Sequence, residues 1–302
     1  MNTLVIVKSP GTIKTISGRL GPGYEVVASI GHVRDLPPRD IGIDPPEYTP
    51  QYEPTERGKE VLQRLASRVA KAGVVLLATD QDREGEAIAW HLAQALNLAD
   101  PQRITFTAIT ADKLKAALEQ PRPLDMHLVR AQEARRALDR IVGWRVSSAL
   151  GNRIGAGISA GRVQSPAVRI VVDRDREIAQ FKPLPHYGVK LLFDGPDGRW
   201  SADWNIKPHL PDGAEYLTDV DLAASVAKIR NVTAGKYEQR EKKRWPSAPF
   251  MTMKMKQAAS SRLKMRPKKV MEVAQAPHEQ GSLTYVHTDR SEARRAGEEW
   301  GS

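Results

Sequence analysis

Acidic residues occupy every second position from Asp80 to Glu86, which places several carboxylates within one turn of the chain. Their mutual repulsion is costly unless a cation lies among them. Oxygen ligands with no cysteine or histidine beside them favour a hard ion, Mg²⁺ before Zn²⁺. We therefore predict a metal or phosphate-chemistry site at Asp80, Asp82 and Glu84, with a solvated acidic turn as the alternative interpretation.

The segments before these carboxylates indicate how they are positioned. Val74 to Ala78 is a short apolar run, typical of a strand buried on both faces of a parallel sheet. Such sheets hold their ligands beyond the carboxyl ends of the strands. Thr3 to Val7 predicts another buried strand, and Lys8 follows it directly. We expect the two strand ends to be neighbours, so that Lys8 faces the acidic residues.

Strand and helix patterns alternate over residues 1–122. Helices are predicted at 12–20, 56–72 and 111–119, and further strands at 26–30 and 103–109. The proline-rich stretch 37–54 lacks periodicity and is predicted to be an excursion on the surface. This alternation predicts the α/β class, with a compact parallel α/β domain over residues 1–122.

The pattern changes after residue 122. A predicted helix at 128–150 carries several arginines, and the turn from Gly157 to Arg169 carries glycines, two arginines and a glutamine. Arginine forks and backbone N–H groups hold phosphates without reading sequence, so both suit a clamp on a phosphate backbone. Ordinary solvated surfaces are the alternative interpretation. We predict a helical DNA-binding segment over residues 123–185.

Two further segments complete the predicted organisation. Residues 186–246 are predicted to be β-rich, with strands at 189–193, 200–206 and 232–237 and a helix at 220–229. Residues 247–302 begin with predicted helices at 252–263 and 267–275. Pro277 is expected to end the second helix, because proline has no N–H to donate and clashes with the preceding turn.

The overall charge points to a polyanionic partner. The chain of 302 residues has a formal net charge of +10, and so basic a surface attracts nucleic acids; a basic protein without such a role is the alternative. No cysteine is present, which excludes disulfides and thiolate metal sites. We find no membrane-length apolar run and no secretory signal, so a cytoplasmic location without membrane association is expected.

LVIVKSPGTIKTI, SIGHVRDLP and ATDQDREGEAIAWHL are stretches that resemble the Toprim domain of one family, the bacterial type IA DNA topoisomerases. Later stretches are similar to the helices of that family: AQEARRALDRIVGW, SAGRVQSPAVRIVVDRDREI and SAPFMTMKMKQAASSRL. LTYVHTD resembles the segment that carries its nucleophilic tyrosine. The likeness is collinear from residue 3 to about 290.

The resemblance implies Mg²⁺-dependent cleavage and rejoining of single-stranded or negatively supercoiled DNA, which relaxes negative supercoils. Tyr285 would attack a phosphodiester, leaving a 5′-phosphotyrosyl bond and a free 3′-hydroxyl. A phenol with a pKa of ~10 is a poor nucleophile at neutral pH until positive charge favours the phenolate. Cations are also needed to offset the charge that develops on the phosphate.

The resemblance also assigns roles to individual residues. The implied catalytic residues are Tyr285, Lys8, His287 and Arg162. The implied ligands of Mg²⁺ are Asp80, Asp82 and Glu84. The implied DNA-binding residues are His32, Arg135, Arg136, Ser159, Arg162, Gln164, Ser165 and Arg169. A monomer is expected, and a partner chain that completes the protein stays open.

This chain departs from the family pattern at several of these positions. Lys8 stands where the family has a glutamate that donates a proton to the leaving oxygen. A lysine can donate a proton, but its reference pKa of ~10.4 suits this role poorly near pH 7. Its ammonium would also compete with Mg²⁺ for the carboxylates. Thr12 replaces a family lysine, and His287 replaces an arginine.

Length is a further departure, because the chain stops 17 residues after Tyr285 whereas the family continues and closes a ring around DNA. We expect a truncated member that does not close this ring as a single copy. Two functions therefore stay open: a DNA-cleaving enzyme, or a catalytically impaired DNA-binding remnant or regulator. Another Toprim enzyme, a primase or nuclease, is disfavoured because it would not carry the SAGRVQS and LTYVHTD stretches.

Overall fold

The structure is a computed structural model that describes residues 2–155, 157–196, 198–233, 235–236, 238, 240–245 and 249–286. These residues divide into two compact units, Met1–Ser165 with Ser247–Ser302, and Pro166–Pro246. The boundary between residues 165 and 166 falls within one helix. The four-part division predicted from the sequence stays a prediction.

The first unit contains most of the secondary structure. Its elements in chain order are β1 (Thr3–Val7), α1 (Ile13–Leu20), β2 (Tyr24–Ala28), β3 (Arg34–Asp35), β4 (Ile43–Asp44), β5 (Thr49–Pro50), β6 (Glu53–Pro54), α2 (Glu56–Val69), β7 (Val74–Ala78), α3 (Arg83–Ala95), β8 (Gln102–Arg103), α4 (Ala111–Glu119) and α5 (Met126–Ile154). The boundary helix is α6 (Gln164–Gln180). The predicted strands at 3–7 and 74–78 are confirmed residue for residue.

A parallel sheet in the order β2-β1-β7-β8 forms the centre of the first unit. Its register places Val7 beside Ala28 on one side and beside Ala78 on the other, so three strands end at the same edge. Lys8 and Asp80 follow two of these strand ends. The predicted α/β class with a parallel sheet is confirmed, as is the expectation that these two strand ends are neighbours.

Helices cover both faces of the sheet. Val5 and Val7 point into a core with residues of α1 and α4, whereas Leu4 and Ile6 point into a second core with residues of α2 and α3. Successive side chains of a strand point to opposite faces, so a strand buried on both faces is apolar throughout. This burial fixes the register of β1 and thereby the position of Lys8.

The segment between β2 and α2 forms two small strand pairs, β3 with β6 and β4 with β5. Each paired strand has only two residues. Leu36 and Ile43 from this segment are buried against Ala137 of α5. The predicted surface excursion is therefore partly wrong, since it packs a small apolar cluster onto that helix.

The predicted strand at 103–109 is wrong beyond Arg103. β8 ends there, after Arg103 has paired with Arg122 and Ile104 has donated one further backbone hydrogen bond to Leu77. The chain then turns, and the carbonyl of Thr107 accepts a hydrogen bond from the N–H of Tyr285 at 2.8 Å. The last part of this segment thus holds the tyrosine in place and adds no strand.

Residues 249–286 add α8 (Thr252–Leu263) and α9 (Pro267–Glu279) to the first unit. The expectation that Pro277 ends the second helix is wrong, because α9 continues two residues beyond it. A proline in the last turn leaves only one helical hydrogen bond unmade. Its carbonyl still accepts bonds from the N–H groups of Ser282 and Leu283.

The second unit contains the hairpin β9 (Lys190–Gly195) with β10 (Gly198–Asp203) and the helix α7 (Val220–Ala227). The predicted strand at 232–237 is wrong for its described positions, none of which is in a strand. Across the described parts of both units, no helix is both long and apolar enough to cross a membrane.

Candidate active site

The centre of the site is an ion pair between neighbouring strand ends. The Nζ atom of Lys8 lies 2.9 Å from Oδ2 of Asp80 and 3.3 Å from Oε1 of Glu84. Glu84 also lies 3.7 Å from Nε2 of His32. The predicted contact between Lys8 and the acidic residues is confirmed. One ammonium group therefore bridges two of the three predicted metal ligands.

Asp82 has a different environment from the other two carboxylates. Its Oδ1 atom accepts a hydrogen bond from the N–H of Gly85 at 2.7 Å and caps the N-terminus of α3. Its Oδ2 atom accepts a hydrogen bond from the hydroxyl of Tyr285 at 2.7 Å. We call Asp80, Asp82 and Glu84 the acidic motif. The structure thus brings the predicted nucleophile, Tyr285, into direct contact with this motif, across more than two hundred residues of sequence.

Tyr285 is held by its backbone and by the end of α9. The turn at Gly281 has φ of +77° and runs so close to the carbonyl of Ile109 that a Cβ would lie 2.2 Å from it. The tyrosine ring packs edge-on against His278, with ring centroids 5.7 Å apart. A cavity of about 110 Å³ between Tyr285, Lys8 and Asp80 completes the site.

These charges shift the ionisation of the site. His32 and Lys8 lower the pKa of Glu84 to about 2, so it is ionised. Burial lowers the pKa of Lys8, but the carboxylates of Asp80, Glu84 and Asp82 together offset this and leave the pKa raised. Burial and the neighbouring carboxylates raise the pKa of Tyr285 well above that of a free phenol. In this arrangement the nucleophile is a neutral phenol.

The arrangement does not fit a divalent ion held by the three predicted ligands. Mg²⁺ needs about six oxygen ligands at close to 2.0–2.1 Å. The Lys8 ammonium lies between two of the carboxylates, and both oxygens of Asp82 already accept hydrogen bonds. Over the described residues, no three acidic, histidine or cysteine side chains are grouped as a metal site would require.

Three of the predicted DNA-binding residues line one cavity beside this site. His32, Arg135 and Arg136 border a cavity of about 450 Å³ that also reaches Glu84. Arg136 is committed to Asp35 through two hydrogen bonds of 2.7 Å. Arg135 is half exposed and lies 3.8 Å from a carboxylate oxygen of Asp139. Two exposed cationic side chains, Arg83 and Arg135, therefore border this cavity. Two others, Arg34 and Arg136, are fixed by hydrogen bonds.

The other predicted DNA-binding residues lie elsewhere. Ser159, Gln164 and Ser165 hold one turn together, with Gln164 donating to the carbonyl of Ser159 at 2.7 Å. Arg162 pairs with Asp139 at 2.8 Å, and it lines neither of the two cavities described above. Arg169 belongs to the second unit and pairs there with Asp173. His287 lies outside the described residues. The roles predicted for these residues stay predictions.

Sequence reasoning missed the buried support of the acidic motif. Glu86 is 1% exposed and accepts hydrogen bonds from Arg103, Arg122 and the N–H of Asp125. Arg103 also donates to the carbonyls of Thr79 and Asp80, which fixes the loop that carries Asp80. The one signal in the sequence was Arg103, which lies in a predicted strand seventeen residues after Glu86.

Comparison with known families agrees with this fold. A sequence model described as Toprim domain matches residues 3–109, and one described as DNA topoisomerase matches residues 123–299. The two matches together cover the sheet, the acidic motif and Tyr285. The chain belongs to the bacterial type IA DNA topoisomerases, as the sequence resemblance predicted.

Individual relatives show the same likeness. The chain is 49% identical over 289 residues to DNA topoisomerase I, plasmid, of Xylella fastidiosa, and 41% identical over 303 aligned positions to DNA topoisomerase 1 of Campylobacter jejuni. Each match covers 95% of this chain but 44% and 43% of the relative. The chain thus spans less than half the length of these relatives.

A solved structure extends the comparison to three dimensions. Full-length topoisomerase I from Thermotoga maritima is 35% identical to this chain, and the two superpose with a TM-score of 0.83. The match covers 95% of this chain and 49% of that protein.

Proposed function

We propose that this protein cleaves and rejoins single-stranded DNA through a covalent bond to Tyr285, as part of a type IA topoisomerase reaction. The observation that carries the proposal is the hydrogen bond between the Tyr285 hydroxyl and Asp82 in the acidic motif. The family assignment supports this chemistry, and the relatives matched are named DNA topoisomerases. Relaxation of negatively supercoiled DNA and a cytoplasmic location belong to the same proposal.

The reaction assigns one task to each polar group of the site. The Tyr285 oxygen attacks phosphorus, and the bond from phosphorus to the 3′-oxygen breaks. Asp82 is the nearest acceptor for the phenol proton, at 2.7 Å. Lys8 is the candidate acid for the departing 3′-oxygen, because it stands at the family's proton-donor position. Rejoining is the reverse of these transfers.

The substrate needs more room than the present arrangement gives. A cavity of about 110 Å³ is smaller than the ~300 Å³ at which ligand pockets begin. Tyr285 must therefore leave Asp82 before a phosphodiester can lie between them. The basic cavity lined by His32 and Arg135 then offers a path for the DNA backbone towards the tyrosine.

The family match points to Mg²⁺, whereas the geometry of the site does not. The match to the Toprim domain supports membership of a family that uses Mg²⁺. The arrangement of Lys8, Asp80 and Glu84 does not fit such an ion, so no step above depends on it. The sequence prediction of these ligands stays a prediction.

Covalent capture tests the proposed chemistry. A single-stranded oligonucleotide with a fluorescent label at its 3′ end is incubated with the full chain and Mg²⁺, and the mixture is denatured and separated on a gel. We expect a labelled protein band that is absent for Tyr285→Phe and retained for Tyr48→Phe, which alters an exposed tyrosine. Salt-sensitive DNA binding without any covalent band would instead favour the DNA-binding remnant or regulator.

A further inference from the structure

The Lys8 ammonium occupies the space among carboxylates that a cation of this motif would need. Its Nζ atom lies within hydrogen-bond distance of Asp80 and within ion-pair distance of Glu84. The side chains of Lys8 and Asp80 are only 28% and 29% exposed, so solvent screens this pair less than a surface pair. The pair is therefore a built part of the site.

The position of Lys8 is set by the backbone. It follows the last residue of β1, whose neighbour in the sheet is the last residue of β7. The carbonyl of Lys8 is also fixed, because it accepts a hydrogen bond from the N–H of Gly31. Asp80 is held in turn through its own carbonyl by Arg103. The backbones of both Lys8 and Asp80 are therefore fixed where their side chains form the ion pair.

The contacts already made in this region leave a divalent cation few free ligands. Three carboxylates face this region, and Asp82 already has both oxygens in hydrogen bonds. A divalent ion placed beside Asp80 and Glu84 would lie close to the Lys8 ammonium, and like charges at such a distance repel strongly in a partly buried site. Asp82 could not serve as a third ligand of this ion unless the Tyr285 hydroxyl moved away from it.

We propose that Lys8 is a built-in cation that replaces the divalent ion at the Asp80–Glu84 end of the acidic motif. The site consequently binds divalent ions weakly. This inference deepens the proposed function, and only its relevance to DNA cleavage rests on that function. The charge that offsets Asp80 and Glu84 is then present in every molecule, whatever the ion concentration.

Direct ion binding tests this inference without DNA. Mn²⁺ is the probe, titrated into the full chain and followed by electron paramagnetic resonance of the free ion. We expect the native chain to bind Mn²⁺ no more tightly than about 1 mM, and Lys8→Met to bind one ion at least about tenfold more tightly. The gain in Lys8→Met should disappear when Asp80→Asn is added, which locates the ion.

Lys71→Met is the matched control, because it removes the same charge from an exposed residue before β7, at the opposite end of the sheet. It should bind Mn²⁺ like the native chain. A native chain that binds one Mn²⁺ as tightly as Lys8→Met overturns the inference. The inference is also overturned if Lys8→Met is folded, as judged by circular dichroism, and shows no gain in Mn²⁺ affinity.

Two outcomes remain separable from the tyrosine chemistry. If Lys8→Met does not fold, the native titration decides, since a tight one-to-one Mn²⁺ site there overturns the inference. The titration contains no DNA, so a failure of the Tyr285 adduct leaves its result unchanged. Conversely, a tight Mn²⁺ site in the native chain leaves the Tyr285 adduct test intact.

Discussion

At the scale of single residues, Glu86 supports the candidate site without belonging to it. It is buried with Arg103, at 1% and 0% exposure, and their closest atoms are 2.6 Å apart. Arg122 and the N–H of Asp125 satisfy the remaining acceptor positions. Arg103 carries this order onwards to the backbone of Asp80. Glu86 thus holds Arg103, and Arg103 holds the backbone of Asp80 in the candidate site.

Glu86→Gln should therefore destabilise the protein strongly. The substitution leaves the Arg103 guanidinium buried without a full counter-charge, which costs about 3 to 5 kcal/mol. Denaturant unfolding followed by circular dichroism measures the change. Glu119→Gln, at an exposed position at the end of α4, should change the free energy of unfolding by less than about 0.5 kcal/mol. Equal effects of the two substitutions would contradict this role.

The sequence did not distinguish Glu86 from its acidic neighbours, and the reason is geometric. Alternate positions share a face only in a strand, whereas Glu84 and Glu86 lie in the first turn of α3. In a helix, residues two apart point in different directions, so Glu84 reaches Lys8 while Glu86 turns into the core. The contact between Lys8 and Asp80 was predictable because both follow buried strands.

At the scale of elements, the junction between β7 and α3 depends on a close backbone approach. A Cβ on Gly85 would lie 2.1 Å from the carbonyl oxygen of Asp80 and 2.8 Å from its carbonyl carbon. The neighbouring Asp82 caps this helix through the N–H of the same glycine. The loop can fold back over the helix start only because residue 85 has no side chain.

Gly85→Ala should destabilise the fold and displace Asp80. The clash is with backbone, which cannot rotate away as a side chain would, and overpacking of this kind costs about 1 to 3 kcal/mol. Gly18→Ala in α1 is the matched control, since no atom lies within 4 Å of its Cβ position. It should stabilise the helix by about 0.5 to 1 kcal/mol. Thermal unfolding shows whether the two effects have opposite signs.

Strands buried on both faces were among the elements that the sequence predicted well. β1 and β7 have the predicted bounds because both are apolar runs between turn or charged residues. The predicted strand at 103–109 is wrong beyond Arg103, and the partners of this segment include Arg122, which pairs with Arg103, and Tyr285, which donates to Thr107. Those partners are remote in sequence, and no local pattern reports them.

At the scale of the whole molecule, charge is the property most relevant to DNA. The net charge of +10 is spread over a chain in which many arginines already pair with carboxylates. Only cations that release counterions from DNA contribute to salt-dependent binding. We propose that Arg135 is such a cation, because it is half exposed and its contact with Asp139 is long, whereas Arg136 is fixed to Asp35.

Binding of single-stranded DNA should accordingly weaken as salt increases. We expect the affinity to fall by about tenfold or more between roughly 50 and 200 mM salt, measured by fluorescence anisotropy. Arg135→Gln should reduce the slope of log affinity against log salt by about 1. Lys71→Gln removes an equal charge far from the site and should leave the slope unchanged. An affinity independent of salt would contradict phosphate binding.

In the proposed reaction, Tyr285 forms a covalent bond to the 5′-phosphate of the cleaved DNA. The most direct test uses two copies of one oligonucleotide, labelled at the 3′ end or at the 5′ end, in the covalent capture reaction. We expect only the 3′ label to migrate with the protein, and Tyr285→Phe to abolish this band. A band that carries the 5′ label, or one that persists in Tyr285→Phe, would contradict it.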